Sequence, residues 1–229
     1  MQAPPLTQRP ATKQAFVYQT LHSAIMRGEL APGARLRTGD IAQRLGVSVI
    51  PVREALQMLH SERLVESAPH VGARVARISR DSIIEVFTVM EGLELVATRT
   101  AAERMTPTHM DQLTSLLEAM DGALASPKYD EWSDRNTQFH SAIARITGMP
   151  MLQEMTDRAL NQWDRVHRYY LKDVLVHRLA QAQDEHRVIV QAMRDKNYVL
   201  LEQLVRKHNQ GTLAAYTQYL NNAGSNTPS

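Results

Sequence analysis

The sequence predicts a mostly α-helical protein in two parts: a small N-terminal unit of helices closed by a β-hairpin, then an all-α antiparallel helical bundle. Three observations carry this. Beyond Arg80 apolar residues recur only at helical spacing; two short helical stripes near 38–60 are separated by a turn of about three residues; and two β-like runs follow them around a proline–glycine turn. Charge divides at the same place. Residues 1–80 hold 11 Lys/Arg against 5 Asp/Glu, net +6, and residues 81–229 hold 15 against 19, net −4. A basic front part and a mildly acidic back part suggest that only the front part meets a polyanion.

Composition narrows the chemistry further. A chain of 229 residues, 43% apolar, is long enough for one large domain or two modest ones. No run of roughly 18 apolar residues occurs, and "MQAPPLTQRP" lacks a hydrophobic segment, so neither a membrane span nor a secretory signal is expected and the expected location is the cytoplasm. With no cysteine, disulfides, thiolate metal sites and cysteine nucleophiles are excluded, which leaves His and carboxylate or carboxamide oxygens as metal ligands. A glycine-rich phosphate loop, a Ser-His-Asp set and an HExxH motif are all missing from the sequence.

Taken in order, residues 1–11 and 222–229 offer nothing to bury and are expected to form a disordered arm and tail. A helix over 12–27 places Phe16, Val17, Leu21, Ala24 and Ile25 on one face, and Gly28, Pro32 and Gly33 stop it. In "RTGDIAQRLG", Thr38 is a candidate cap, Ile41, Ala42 and Leu45 form the inner stripe, and Gly46 supplies the left-handed terminator. Ser48 then caps a second helix with Pro51 in its first turn, where a missing N–H costs no intrahelical bond. Projected at about 100° per residue, Val52, Ala55, Leu56 and Leu59 make its buried stripe. Ile50, Arg53 and Gln57 face elsewhere, with Val49 and His60 at the edge.

That spacing is a helix-turn-helix, and an exposed face carrying a cation, an amide and aliphatics is where a recognition helix meets base edges. The hairpin in "RLVESAPHVGARVARI", turning at 69–72, is then a wing. The predicted DNA-facing set is Arg37, Thr38, Ser48, Val49, Ile50, Arg53 and Gln57, with His70, Gly72 and Arg74 from the wing. Residues 12–78 form this domain and 79–221 the next.

In the second domain, helices are expected over 82–104, 106–125, 132–147, 151–171, 174–196 and 198–221, with Gly148 and Pro150 as a break. The first carries Ile84, Val86, Phe87, Met90, Leu93, Val96 and Ala97. His140, His186 and His208 each lie among apolar neighbours, and Asn136 sits one turn before His140 on the same face. Bundles build metal sites from such inward positions on facing helices, while any one of these histidines taken alone reads more readily as a hydrogen-bonded or surface residue. Trp132, Trp163, Tyr169 and Tyr170 are candidates for a cavity lining, although aromatics at helical spacing are more often plain core.

The motifs also carry a resemblance. "LGVSVIPVREAL", "LHSERLV" and "APHVGARVA" make residues 14–77 similar to the winged helix-turn-helix of the GntR family of bacterial transcription regulators. "FHSAIARITGMPML" and "EHRVIVQAMRDKN" make residues 82–220 similar to the FCD ligand-binding domain of FadR-type members. The resemblance implies a homodimer on a palindromic double-stranded DNA operator, controlled by a small-molecule effector, with organic acids among the candidates. It also implies a divalent metal held by Asn136, at the family's Asp position, with His140, His186 and His208. Three imidazoles and one carboxamide favour zinc or nickel over magnesium or calcium. Departures from the family are Val49 and Val71 where basic residues are usual, and Met90 where carboxylate-binding members carry an Arg before Glu94. Two other readings stay open: the metal is itself the signal, or three histidines with an open position activate water in an enzyme. The enzyme reading lacks a general base, since Asp134 and Glu185 do not share a face with the nearest ligand.

Overall fold

The computed structural model describes residues 12–68, 72–126, 128–170, 174, 176 and 178–225. The chain divides into two compact units, Met1–Ile78 and Ser79–Ser229.

The first unit runs α1 (Lys13–Met26), β1 (Arg35–Leu36), α2 (Thr38–Leu45), α3 (Val49–Ser61), β2 (Val65–Ala68) and β3 (Gly72–Val75). β3 is the central strand, antiparallel to both neighbours, with Leu36 opposite Ala73 and Glu66 opposite Arg74. Strand β1 has no counterpart in the sequence reading, because two residues leave no alternation to recognise. Val17, Leu21 and Ile25 of α1 pack with Ile41 of α2 and with Val52, Leu56 and Leu59 of α3 in one core, closed by Leu64 and Val75.

Two capping expectations change. Thr38 is the first residue of α2 rather than its cap; Arg37 holds the cap position and makes no side-chain bond there. Ser48 does occupy the N-cap of α3, yet its hydroxyl caps nothing. The start of α3 is instead held by burial of Pro51 and Val52. Gly46 ends α2 at φ +64, its N–H reaching back to the carbonyls of Ala42 and Gln43.

The second unit comprises α4 (Arg80–Glu103), α5 (Pro107–Ala125), α6 (Tyr129–Ile146), α7 (Pro150–Tyr170), α8 (Leu179–Arg194) and α9 (Tyr198–Ser225). Helix α4 packs against α6, α7 and α9, while α5 packs against α6 and α8. Its entry is a capping box in which Ser79 and Ser82 each bond the other's backbone N–H. At α5 the Thr106 hydroxyl accepts the His109 N–H, with Pro107 opening the helix.

Three boundaries or faces differ from the sequence expectation. Helix α8 starts at Leu179, five residues after 174, and α9 continues four residues beyond 221 into the span assigned to a tail. The remainder of the arm and tail, and His70 of the wing, lie outside the described residues. Helix α4 buries Ile83, Phe87, Met90, Glu94 and Ala97, and exposes Val96. Its inward face therefore includes a carboxylate, and a stripe read from apolar residues alone lands partly on the wrong side. Among the described residues no helix is long and apolar enough to cross a membrane.

Gly46 offers a test of the inter-helix turn. A Cβ there would meet nothing within 4 Å, so the cost of Gly46→Ala is purely the left-handed backbone, about 1 kcal/mol. Urea unfolding should show the midpoint lowered for Ala and lowered less for Asn; an unchanged midpoint for Ala contradicts the turn geometry.

Candidate functional site

In the first unit, α3 separates its residues into two faces that share none. Val52, Ala55, Leu56 and Leu59 are buried, whereas Val49, Arg53, Gln57 and His60 are exposed and Ile50 is 68% exposed. Ile50, Arg53 and Gln57 fall on one surface at spacings of three and four residues. Nearby positions are more mixed. Arg37 and Ser48 are exposed and Thr38 is half-buried; Arg37 lies 4.0 Å from Asp40. On β3, Arg74 is half-buried between Arg35 and Glu66 of the flanking strands, and Gly72 opens the strand at φ +84.

In the second unit, Asn136 and His140 on α6, His186 on α8 and His208 on α9 are all buried. One ligand atom from each of the three histidines lies within 4.8 Å of the others. Carboxylates stand behind two of the rings. His140 Nδ1 is 2.6 Å from Glu94 Oε1, and His208 Nδ1 is 2.8 Å from Glu185 Oε2. An ionised carboxylate only accepts, so each Nδ1 carries a proton, and in the neutral ring this leaves the lone pair on Nε2.

Both carboxylates are themselves held. Asn209 Nδ2 donates to Glu94 Oε2 at 2.6 Å, and Arg178 donates to the two oxygens of Glu185 at 3.1 and 2.8 Å. Burial pushes the Glu94 carboxyl up, but His140, His208 and Asn209 outweigh it and hold the pKa at about 2. His186 is fully buried, and neither of its ring nitrogens has a partner among the described residues. Burial, reinforced by His208, His140 and nearby arginines, pulls its pKa well below the usual 6.5 and keeps it neutral.

Asn136 Oδ1 is likewise buried and without a partner among the described residues. A packing histidine normally satisfies at least one nitrogen; His186 satisfies none. Neutral imidazoles with lone pairs, one oxygen acceptor and carboxylates on the far ring nitrogens form the donor set of a divalent transition metal. At about 2.0–2.1 Å from an ion, two ligands are at most roughly 4.2 Å apart, so the nitrogens fit with a small contraction.

Glu94, Glu185 and Arg178 were not singled out as parts of this site by sequence reasoning. Glu185 does face away from His186, its sequence neighbour, and serves His208 across the helix pair instead. Asp134 pairs with Arg168. The cavity that His140, His208 and Asn136 share has a volume of about 20 Å³ and is also lined by Met90, Trp132, Trp163 and His167, among others. Of the four aromatics named as candidates for a lining, Trp132 and Trp163 line it; Tyr169 is half exposed and Tyr170 packs on Tyr216 and Tyr219.

Comparison with known proteins agrees with this division. Residues 13–75 match the family described as bacterial regulatory proteins, gntR family, and residues 85–211 match the FCD domain. The transcriptional repressor GlaR of Escherichia coli is 30% identical over 203 residues, 83% of this chain and 90% of that protein. The regulator McbR of the same species is 35% identical over 131 residues, 57% of this chain and 59% of that protein. A solved structure of E. coli McbR/YncC matches at a TM-score of 0.74 and 28% identity, covering 92% of this chain and all of that one.

The Arg178 guanidinium that pairs with Glu185 passes close over α9, where it also donates to the His208 carbonyl. A Cβ at Gly211 would stand 2.7 Å from its Nη2, so Gly211→Ala should displace the flexible guanidinium and loosen Glu185 and His208 while α9 stays folded. Zinc affinity, measured by competition with a chelator, is expected to fall about 10–100-fold; an affinity equal to wild type removes Arg178 from the site.

Proposed function

Because this chain belongs to the GntR family of bacterial regulatory proteins, we propose that it acts in the cytoplasm as a homodimeric, effector-controlled transcription regulator on a pseudo-palindromic DNA operator. It is a regulator and not an enzyme, and its relative GlaR carries the name of a repressor. Unit Met1–Ile78 reads the operator; unit Ser79–Ser229 binds the controlling ligand and joins the two copies. Two-fold protein symmetry then sets two-fold operator symmetry.

The convergence of His140, His186 and His208 from three helices on one buried point, with Asn136 one turn before His140 and lining the same cavity, carries the control half of this reading. These four residues would hold the divalent ion, zinc or nickel. When bound, the ion supplies a Lewis-acid centre for an oxygen of the effector. Glu94 and Glu185 keep the two Nδ1 protons in place and so aim the Nε2 lone pairs; Arg178 offsets the charge of Glu185. Residues on α6, α8 and α9 are pinned together, and an effector that favours one arrangement of these helices shifts DNA affinity by its differential affinity for the two arrangements.

A second reading, in which the ion is itself the signal, draws support from the meeting of three helices at the three histidines, which an ion alone can pin. DNA affinity measured on metal-free, metal-loaded and metabolite-loaded protein separates the two. A response to metal alone selects the second.

On the DNA side, Arg53 is the one cation on the Ile50–Arg53–Gln57 face. Arg53→Ala should weaken operator binding by about 1–3 kcal/mol if the guanidinium reads a base, and unaltered affinity at moderate salt displaces the recognition surface from α3. Val49 and Ile50 cannot donate hydrogen bonds, so selection from random DNA should return a thymine rather than an invariant guanine at the base they face.

On the control side, His186→Ala should abolish both metal content and effector response while DNA binding persists. Elemental analysis and operator titration with and without effector check this; a variant that still responds moves the effector away from the histidines.

A further inference from the structure

One wall of the cavity supplies no donor to the histidine cluster, although its Trp132 stacks on His186 with ring centroids 6.2 Å apart. It is a stack of rings: Trp163 lies 4.5 Å from His167 at 25°, and Trp132 lies 5.8 Å from the same imidazole at 21°. All three line the cavity and are more than nine-tenths buried. Trp132 Nε1 and both nitrogens of His167 are buried with no hydrogen-bond partner among the described residues. Buried polar groups are normally satisfied, so three such atoms on one cavity wall point to a ligand.

Their chemistry restricts it. The indole N–H only donates, and a neutral imidazole offers one donor and one acceptor. A hydroxyl gives and accepts, and satisfies both kinds of partner at once. A carboxylate could only accept; it would leave the imidazole lone pair facing a negative charge. Among the residues described as lining the cavity, the one guanidinium, Arg178, is already paired with both oxygens of Glu185, and Arg168, next to His167 in the chain, is paired with Asp164 and Asp134. Glu94, the other charged group of the lining, is itself negative and is taken up by His140 and Asn209. The remaining surface, from Phe87, Met90 and Leu160, suits carbon–hydrogen edges.

We propose that the Trp132–His167 wall binds a hydroxyl of a small hydroxylated organic ligand that carries at most one carboxylate, the acid group lying at the histidine end. Only the placement of the acid group rests on the reading of the histidines as a metal-linked effector site. Specificity then comes from a hydroxyl at the far end, and dicarboxylates are rejected because a second charge would be buried unpaired.

Calorimetric titration of the zinc-loaded full-length protein with glycerate, lactate and malonate tests this. Glycerate is expected to bind at least about tenfold more tightly than lactate, which lacks the terminal hydroxyl, and than malonate. Trp132→Phe, which keeps a ring and loses the N–H, should erase the preference for glycerate over lactate with zinc content unchanged. Equal affinities, tighter binding of malonate, retention of the preference in Trp132→Phe, or failure of all three acids to bind would overturn the proposal. If the purified protein takes up no zinc, the histidine reading fails first; the wall is then tested on the same protein with glycerol against 1-propanol, where equal or absent binding overturns it and a glycerol preference lost in Trp132→Phe upholds it.

Discussion

The buried carboxylate of Glu94 is the constraint around which the helical unit is organised. A carboxylate removed from water must be paired and hydrogen-bonded or it neutralises. Here His140 on α6 and Asn209 on α9 meet its two oxygens, so three helices are fixed to one charged group. Its pKa of about 2 means that the group is ionised throughout the physiological range. From this follow the rotation of α4, which turns Glu94 inward and Val96 outward, and the orientation of the His140 ring. Glu185 repeats the device on the other side of the cluster, tying Arg178, α8 and His208 together.

Much of this was legible in the sequence, and the parts that were not share a cause. The faces of α3 were readable to the residue, because helical spacing alone puts Val52, Ala55, Leu56 and Leu59 on one side and Ile50, Arg53 and Gln57 on the other. The three histidines and Asn136 were only weakly marked by spacing and apolar neighbours, and it was the resemblance to the FCD domain that joined them into one set. Glu94 and Glu185 were not legible as part of it, since a hydrophobicity pattern assigns any charge to solvent and only a partner on another helix reverses that. Glu185 is the clearer case: it sits next to His186 in the chain but bonds His208, and nothing local records that pairing. Strand β1 failed for lack of length. The start of α8 failed because the apolar pattern in the sequence was carried back to Val174, whereas the helix begins at Leu179.

The replacement of the expected Asp by Asn136 changes the electrostatics of the cluster rather than its shape. Three neutral imidazoles and a carboxamide bring no formal charge to an ion, so all the negative charge sits one bond further out, on Glu94 and Glu185. Arg178 cancels one of those two charges. A divalent ion held there keeps a net positive character that a monoanionic ligand would neutralise. Charge matching of this kind ties the choice of ligand to the choice of cation.

The clean partition of α3 has a consequence for how such a protein changes over time. Val52, Ala55, Leu56 and Leu59, buried with no share in the outer surface, fix the stability of the N-terminal unit. Substitutions at Val49, Ile50, Arg53 or Gln57 remove nothing from that core, so mutational drift at these positions is free of the usual toll on folding. On the reading proposed above, a few surface replacements retarget the unit to a new set of genes and leave the second unit as it was. Regulatory rewiring and sensory change are thereby separable steps for selection.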